Sequence, residues 1–186
     1  MHSPSSHDPT DFETRGLMLA KRLLRDEVRT DMVLRFSGIR RSQIAVLRRR
    51  LGIPLETRHR GPSPWRVATF VANADRRRES AALAALLAQF DLIDPQVGRP
   101  GRPLHRHDVG ERLCEIREYV RNCFPEVDVD FEGINLLRTA LLKRGQLETT
   151  HCRRCGCLIV IERFDRRYLI CEFCNDHGSA TGAKQP

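Results

Sequence analysis

The sequence predicts a mainly α-helical protein that ends in a small cysteine-rich hairpin. The first observation is helical periodicity, because apolar residues recur at helical spacing from Leu17 onwards and again in the stretch AALAALLAQF. The second is a change of character after Glu148, where short β-branched runs replace the helical pattern. The third is that five of the seven cysteines lie within 151–174. A helical body followed by a compact cysteine module accounts for all three.

The helical region divides at turn-forming residues. The predicted first helix carries Leu17, Ala20, Leu24 and Val28 on one face, and a capping-type start precedes another helix at Asp108. Glycine and proline interrupt the pattern between these helices. The other predicted elements are two short helices broken at Ser37-Gly38, a helical stretch from Trp65 to Phe90, a linker over 94–103, and a last helix over 131–143.

The positive charge is concentrated in one segment. Lysine and arginine total 32 against 24 aspartate and glutamate, a formal net charge of +8. The segment from Lys21 to Arg60 holds 12 of the basic residues and four of the acidic ones, so the rest of the chain is neutral on balance. A concentrated basic patch is typical of a surface that binds a polyanion, either nucleic acid or an acidic membrane surface. Because no apolar run approaches the roughly 20 residues of a membrane span, we expect no membrane-embedded segment.

The cysteine spacing predicts a metal site. Cys152-x2-Cys155 and Cys171-x2-Cys174 are two pairs separated by fifteen residues. Four thiolates form a closed tetrahedral shell that suits one structural Zn²⁺ ion per chain and leaves no position for substrate water. We expect a hairpin to bring the pairs together, with LIVIERF (158–164) and RYLIC (167–171) as its strands around a polar turn at 165–167.

Two alternatives for the cysteines stay open. Cys157 competes with Cys155 as second ligand, and the symmetric two-residue spacing favours Cys155. A redox pair would require a thioredoxin-type βαβ context, which the sequence lacks, while an iron–sulfur cluster is a further alternative. Cys114 is interpreted as a small apolar residue within a helix, and Cys123 as one at the end of that helix.

The basic segment has the apolar spacing of a helix-turn-helix. If Gly38 is the glycine of the turn, Leu34 lies four residues before it. The apolar residues one, six and nine positions after it are Ile39, Ile44 and Leu47. The second helix would then present small and basic side chains to the major groove of double-stranded DNA, with Ser42 as a late N-cap. The predicted DNA-binding residues are Arg40, Arg41, Ser42, Gln43, Arg48 and Arg49.

No arrangement of residues requires an enzyme. His105, His107 and Asp108 lie close together and suggest a metal-dependent nuclease, but a polar loop with Asp108 as helix cap explains them more simply. We find no nucleophilic triad, phosphate-binding loop or paired carboxylates, so we expect no catalytic residues.

The chain resembles the C subunit of the bacterial flagellar master transcriptional activator. The resemblance is carried by the first helix, by GIRRSQIAVLRRRLG, by the loop RHRGPSPWRV with the helices after it, and by HCRRCGC followed by CEFC, over roughly residues 15–175. It implies a helical body with a zinc site on Cys152, Cys155, Cys171 and Cys174. It also implies a hetero-oligomer with a D-type subunit that binds promoters of flagellar operons and recruits RNA polymerase.

The predicted organisation follows from these motifs. We expect a disordered tail (1–14), a helical domain for DNA binding and subunit assembly (15–148), a four-cysteine zinc module (149–175) and a flexible tail (176–186). The predicted function is that of a DNA-binding activator subunit. The alternative is a zinc-ribbon protein-interaction module with a basic surface and no specific DNA binding. Because the first residues lack the pattern of a secretory signal, we expect a cytoplasmic location.

Overall fold

The computed structural model describes residues 9–54, 65–94, 103–142, 146–165 and 167–178. Within these ranges the chain forms seven α-helices, one short 3₁₀ helix and one antiparallel hairpin. The mainly helical fold with a small hairpin in the cysteine-rich region is therefore confirmed. In chain order the elements are α1 (Pro9–Arg25), α2 (Thr30–Ser37), α3 (Arg41–Arg50), the 3₁₀ helix (Val67–Val71), α4 (Ala74–Gln89), α5 (Arg106–Cys123), α6 (Phe131–Leu142), β1 (Leu147–His151), β2 (Leu158–Glu162) and α7 (Glu172–Gly178).

The two predicted tails are shorter than expected where the structure describes them. Helix α1 already begins at Pro9, inside the predicted tail 1–14, and α7 extends to Gly178, inside the predicted tail 176–186. The rest of both tails and most of the predicted linker over 94–103 lie outside the described residues.

The contacts divide the chain into two compact units. The first contains α1, α2, α3 and α5 as far as Glu118, and the second contains the 3₁₀ helix, α4, the end of α5, α6, the hairpin and α7. This division differs from the predicted boundary at residue 149. The hairpin shares a unit with helices because β2 packs against α4 and β1 packs against α6. The apolar residues of β2 thus belong to a larger core than a separate cysteine module would have.

The core of the first unit is built by α1, α2 and α5. Helix α1 buries Leu19, Leu23 and Leu24, while the predicted stripe residue Leu17 is only partly buried. Close approach of the helices depends on two residues without side chains. A Cβ atom at Gly16 would lie 2.5 Å from the Ser37 carbonyl oxygen, and one at Gly110 would lie 2.8 Å from Leu19. The backbones therefore pack at a distance that only glycine permits.

Charged residues line the exposed sides of α1 and α5. Arg15 pairs with Asp108 and Glu111 of α5, and Arg22 pairs with Glu118 at 2.8 Å. The 18-residue α5 is the longest of the described helices, and its sequence RHDVGERLCEIREYVRNC mixes acidic and basic residues throughout. Within the described ranges, none of the helices combines the length and apolarity needed to cross a membrane.

Helix α4 of the second unit begins later than the helical pattern of the sequence predicts. Instead of one helix from Trp65 to Phe90, the chain forms the 3₁₀ helix and then α4, which starts at Ala74. The Asn73 side chain sets this start, because its Oδ1 accepts a hydrogen bond from the Arg76 N–H at 2.9 Å. Trp65 stacks on Phe70 with ring centroids 5.7 Å apart.

The predicted strand pairing of the hairpin is wrong. Strand β2 pairs with β1, in a register that runs from Leu147 opposite Glu162 to His151 opposite Leu158. Residues 167–171 form no strand; Leu169 and Ile170 instead pack against the buried cluster of Cys152, Ile159 and Ile161. The apolar residues of RYLIC are therefore used for packing rather than for pairing. The connection between the strands is the segment Cys152–Cys157 itself.

Candidate metal centre and nucleic-acid interface

The thiols of the cysteine-rich segment come together at one end of the hairpin. Cys152 directly follows β1, Cys155 and Cys157 lie in the connection to β2, and Cys171 directly precedes α7. The sulfur atoms of these four residues all lie within 4.8 Å of one another. Among the described residues this is the only group of histidine, cysteine or carboxylate side chains with the proximity to hold a metal ion. The cysteine cluster is thus a candidate metal centre.

The connection between the strands is a tight turn that directs N–H groups at sulfur. The Cys152 N–H donates to the Cys157 carbonyl at 2.8 Å, and the Gly156 N–H donates to the Cys152 carbonyl at 2.9 Å. Gly156 closes the turn at φ 73°, in the left-handed region that glycine adopts without strain. The Cys152 sulfur accepts hydrogen bonds from the Arg154 N–H at 3.4 Å and from the Cys171 N–H at 3.2 Å.

These N–H groups favour the thiolate form of Cys152 and Cys155, whereas burial raises the pKa of Cys157. Burial by itself would raise the pKa of Cys152, but hydrogen bonds from the backbone N–H groups of Cys171, Cys155 and Arg154 lower that pKa to about 6. The Cys157 N–H likewise lowers the pKa of Cys155. A thiolate is the form of cysteine that binds metal. The backbone of the cluster is therefore arranged for ligation.

The predicted ligand set agrees with this cluster in three positions. Cys152, Cys155 and Cys171 are in the group of four, whereas the fourth member is Cys157 rather than Cys174. Cys174 is nevertheless close to the cluster, because its backbone N–H donates to the Cys171 sulfur at 3.4 Å. The sequence already offered Cys157 as a competitor of Cys155, whereas the structure brings both of these thiols into the group. Five thiols surround a site that takes four.

The chemistry of the cluster is that of a soft-metal site. Four thiolates at this separation suit tetrahedral coordination of Zn²⁺, and the same donor set also binds iron–sulfur clusters or Cu(I). A site closed by four protein ligands has no open position for substrate or water. The arrangement can therefore hold the shape of the hairpin end.

The second candidate site is the basic helix α3 in the first unit. Helix α2 is followed by Gly38, which has φ 69° and donates its N–H to the Leu34 carbonyl at 3.0 Å. The chain then turns and enters α3, whose Ile44 and Leu47 are buried. These are the residues that the helix-turn-helix spacing places on the inner face. Leu34 and Ile39 are partly buried.

Five of the six predicted DNA-binding residues are exposed and one is not. The side chain of Arg48 is buried, with only 6% of the residue exposed, because position 48 lies one helical turn after Ile44 on the inner face of α3. A buried Arg48 does not reach a DNA groove from this position. Arg50, which the predicted set omits, is exposed instead. The five exposed residues of the predicted set are Arg40, Arg41, Ser42, Gln43 and Arg49.

Helix α3 is capped by a different residue from the one expected. It starts at Arg41, and the Oε1 atom of Gln43 accepts a hydrogen bond from the Arg40 N–H at 2.7 Å. This is one half of a capping box, and it removes the need for Ser42 to act as a late cap. The contact occupies the amide oxygen of Gln43, while its NH₂ group keeps its capacity to donate.

The histidine pair near the start of α5 has a packing role. The Nε2 atom of His107 lies 2.9 Å from the Ser37 carbonyl oxygen, and its ring is buried. Asp108 pairs with Arg15 and accepts a hydrogen bond from the His105 N–H at 3.2 Å, which caps a helix that begins at Arg106. These contacts explain the three residues without a nuclease centre. Burial of His107 lowers the pKa of its imidazole.

Three exposed aromatic residues of the cysteine-rich segment were not predicted as functional from the sequence. Phe164 and Phe173 are 78% and 67% exposed, and Tyr168 is also exposed. Arginines lie over two of these rings: Arg163 is 4.9 Å from the centroid of Phe164, and Arg77 is 4.4 Å from that of Tyr168. The signal in the sequence was their interleaving with the cysteines, since Phe173 stands between Cys171 and Cys174.

The comparisons with known proteins assign the chain to no family. No protein-family model matches the chain, and no curated protein matches it significantly.

Proposed function

We propose that this protein is a zinc-stabilised, DNA-binding subunit of a transcriptional activator. The observation that carries the proposal is the arrangement of α3. It follows a left-handed glycine turn, buries Ile44 and Leu47, and exposes five polar or basic residues of the predicted set. A short helix after a tight turn, with one apolar and one basic side, is what major-groove binding requires.

The charge of this segment supports the proposal. No acidic residue occurs between Asp31 and Glu56, while that stretch contains six arginines. Arginines in such a segment neutralise phosphates, which positions a protein on the duplex. Base discrimination would come from Ser42, Gln43 and Arg49, because such side chains donate to base edges in the major groove.

The metal has a structural role in this proposal. One Zn²⁺ ion bound by four thiolates would hold the connection between the strands and the start of α7 together. In a small module such binding contributes on the order of 10 kcal/mol to folding. Zinc supplies no catalytic chemistry here, and the proposed protein is not an enzyme.

The resemblance adds the finer parts of the proposal. By it the protein works in the cytoplasm in a hetero-oligomer with a D-type subunit, binds promoters of flagellar operons and recruits RNA polymerase. The motifs that support these parts are GIRRSQIAVLRRRLG and the pair HCRRCGC and CEFC. The oligomer is expected to sharpen the sequence preference of α3, because more phosphates and bases are then contacted together.

The test is a fluorescence anisotropy titration of the zinc-loaded chain. A flagellar-operon promoter duplex and a scrambled duplex of equal length are titrated with and without the D-type subunit, at several salt concentrations. We expect a preference for the promoter of at least about tenfold with the partner present, as for specific DNA-binding proteins. Equal affinity for both duplexes under all conditions would contradict the proposal.

A double variant assigns the binding to α3. R41A/R49A is expected to lower the salt dependence of the binding constant by about 0.9 for each phosphate contact that is lost. It should also cost about 1–3 kcal/mol for any base contact. R25A/R121A is the matched control, because it removes the same charge from exposed positions outside α3. If both variants lose the same affinity, α3 is not the recognition helix.

A protein-interaction module is the second candidate function. Exposed aromatic residues are enriched in protein interfaces, and Phe164, Tyr168 and Phe173 lie close in sequence to the metal ligands. Replacing Phe164 and Phe173 together by serine separates the two candidates. Lost capture of the D-type subunit by this variant, together with equal affinity of the unsubstituted chain for promoter and scrambled duplexes, supports the interaction module over the DNA-binding subunit.

A further inference from the structure

The cysteine cluster contains one thiol more than a tetrahedral metal ion can use. Cys152, Cys155 and Cys171 are common to both ways of completing the site. The fourth position is completed either by Cys157, whose sulfur belongs to the group within 4.8 Å, or by Cys174, whose backbone N–H donates to the Cys171 sulfur at 3.4 Å. We propose that Cys157 and Cys174 exchange as the fourth ligand of the metal ion, so that one of the two thiols is always free.

The three common ligands are held by contacts that do not involve the sulfur atom of Cys157 or of Cys174. The buried Cys152 sulfur accepts hydrogen bonds from Arg154 and Cys171 N–H groups. The sulfurs of Cys155 and Cys171 are 3.6 Å apart. These contacts link the turn after β1 to the start of α7. The common ligands are therefore fixed by the backbone of both segments.

The two exchanging ligands approach from different elements. Cys157 stands at the end of the turn, directly before β2, whereas Cys174 is part of α7. Neither sulfur accepts a backbone N–H bond among those seen in the described residues, in contrast to Cys152 and Cys171. Each thiol can thus leave the metal without breaking a hydrogen bond that shapes the turn.

The exchange is balanced in bonds and protons. When Cys157 replaces Cys174, the metal–sulfur bond to Cys174 breaks and that sulfur takes up a proton, while the Cys157 thiol loses a proton and forms a metal–sulfur bond. The number of ligands, the charge of the site and the oxidation states stay the same, so no oxidant or reductant is needed.

The freed thiol has a different environment in each state. Cys157 lines a cavity of about 170 Å³ whose wall also includes Arg77, Tyr168 and Phe173. When Cys174 is the ligand, the Cys157 thiol is free at this cavity. When Cys157 is the ligand, the free thiol is on α7. Thiol-directed electrophiles therefore have one accessible cysteine of the cluster in each state.

The experiment is brief labelling of the zinc-loaded full chain with N-ethylmaleimide. Bound zinc is counted by native mass spectrometry, and the label is located by peptide fragmentation. We expect one zinc per chain and about one label in the cluster, divided between Cys157 and Cys174. Label confined to only one of these residues means a fixed ligand set and overturns the proposal. No label at either residue also overturns it.

Serine variants provide an independent measurement. C157S and C174S are each expected to keep one zinc ion and to lose the label in the cluster, because the remaining cysteine is then a permanent ligand. The double variant C157S/C174S should bind zinc at least tenfold more weakly, and C152S/C157S is the control, because it also leaves three thiols but keeps one of the two exchanging cysteines. Loss of zinc from either single variant overturns the exchange.

The inference rests on the metal centre of the proposed function, and the two fail differently. A wild-type chain that binds no zinc and carries label on all five cysteines refutes the metal centre itself. One zinc ion with a single fixed set of ligands refutes only the exchange. DNA affinity is measured separately and bears on α3 alone.

Discussion

The two candidate sites are stabilised in different ways. Helix α3 is anchored by Ile44 and Leu47, which are buried as in any apolar core. The end of the hairpin is instead organised around sulfur, because backbone N–H groups point at Cys152 and Cys171. The basic helix thus depends on side-chain packing, while the cysteine cluster depends on turn geometry and on the proposed metal ion. The two regions of the chain are therefore expected to unfold under different conditions.

Removal of the metal should give the largest difference between the two regions. Removal of zinc from the loaded chain by a chelator is expected to lower the free energy of unfolding of the second unit by on the order of 10 kcal/mol, because the four thiolates then have no metal ion to bind. Hydrogen exchange should become fast over 147–162 while residues 19–24 and 33–47 keep their protection. The control is chelator added to a chain prepared without metal. Equal loss of protection in both units would contradict the expectation that only the second unit depends on the metal ion.

A cavity in the core should affect the basic helix and not the cysteine cluster. Leu47→Ala is expected to destabilise the first unit by about 2–5 kcal/mol, because it removes a buried side chain. Val46→Ala is the matched control, since Val46 is 38% exposed and Leu47 is 4% exposed on the same helix. Denaturant unfolding measures both variants. A Val46 variant as unstable as the Leu47 variant would mean that the assigned inner face is wrong.

The turn between α2 and α3 can be tested through its glycine. Gly38→Ala should cost about 1–2 kcal/mol, since a side chain is strained in the left-handed region. The added Cβ would also lie 2.0 Å from the Arg106 guanidinium, which must move. Gly52→Ala separates the two effects, because Gly52 has φ 65° but no atom within 4 Å of the new Cβ. Melting temperatures should fall more for Gly38→Ala than for Gly52→Ala.

The smallest effect expected is a dependence of the first unit on pH. Burial lowers the pKa of His107 in the folded chain below its ordinary value of 6.5. The unfolded chain therefore binds the proton more readily, and stability is expected to fall as pH drops below about 6.5, by at most about 1.4 kcal/mol per pH unit. His107→Gln keeps a hydrogen-bond donor for the Ser37 carbonyl and should remove this slope. An unchanged slope in the variant would show that another group titrates.

Several features could be predicted because they depend on local sequence. The helical content follows from apolar periodicity, and the burial of Ile44 and Leu47 follows from their spacing to Gly38. The two C-x2-C pairs likewise locate the cysteine cluster. Each of these signals is carried by short stretches of consecutive residues, so the surrounding structure has little scope to override it.

The tertiary structure decided the features that depend on distant residues. Strand β2 pairs with Leu147–His151 in a hairpin that packs on α4 and α6. Leu169 and Ile170 pack against the cluster of Cys152, Ile159 and Ile161 instead of forming a strand. Helical spacing from Ile44 puts Arg48 on the inner face of α3, but only the packing of that face on the core shows that its side chain is buried while Arg49 and Arg50 are exposed.

The cysteines show which features follow from local sequence and which depend on the tertiary structure. Their spacing by itself determined that a cluster able to hold a metal ion forms near the end of the chain. Only the folded turn, closed by Gly156 at positive φ, brings Cys157 to the same site as Cys155 and Cys171. The physical reason is that ligand type is a property of the residue, whereas the distance between sulfur atoms is a property of the backbone that carries them.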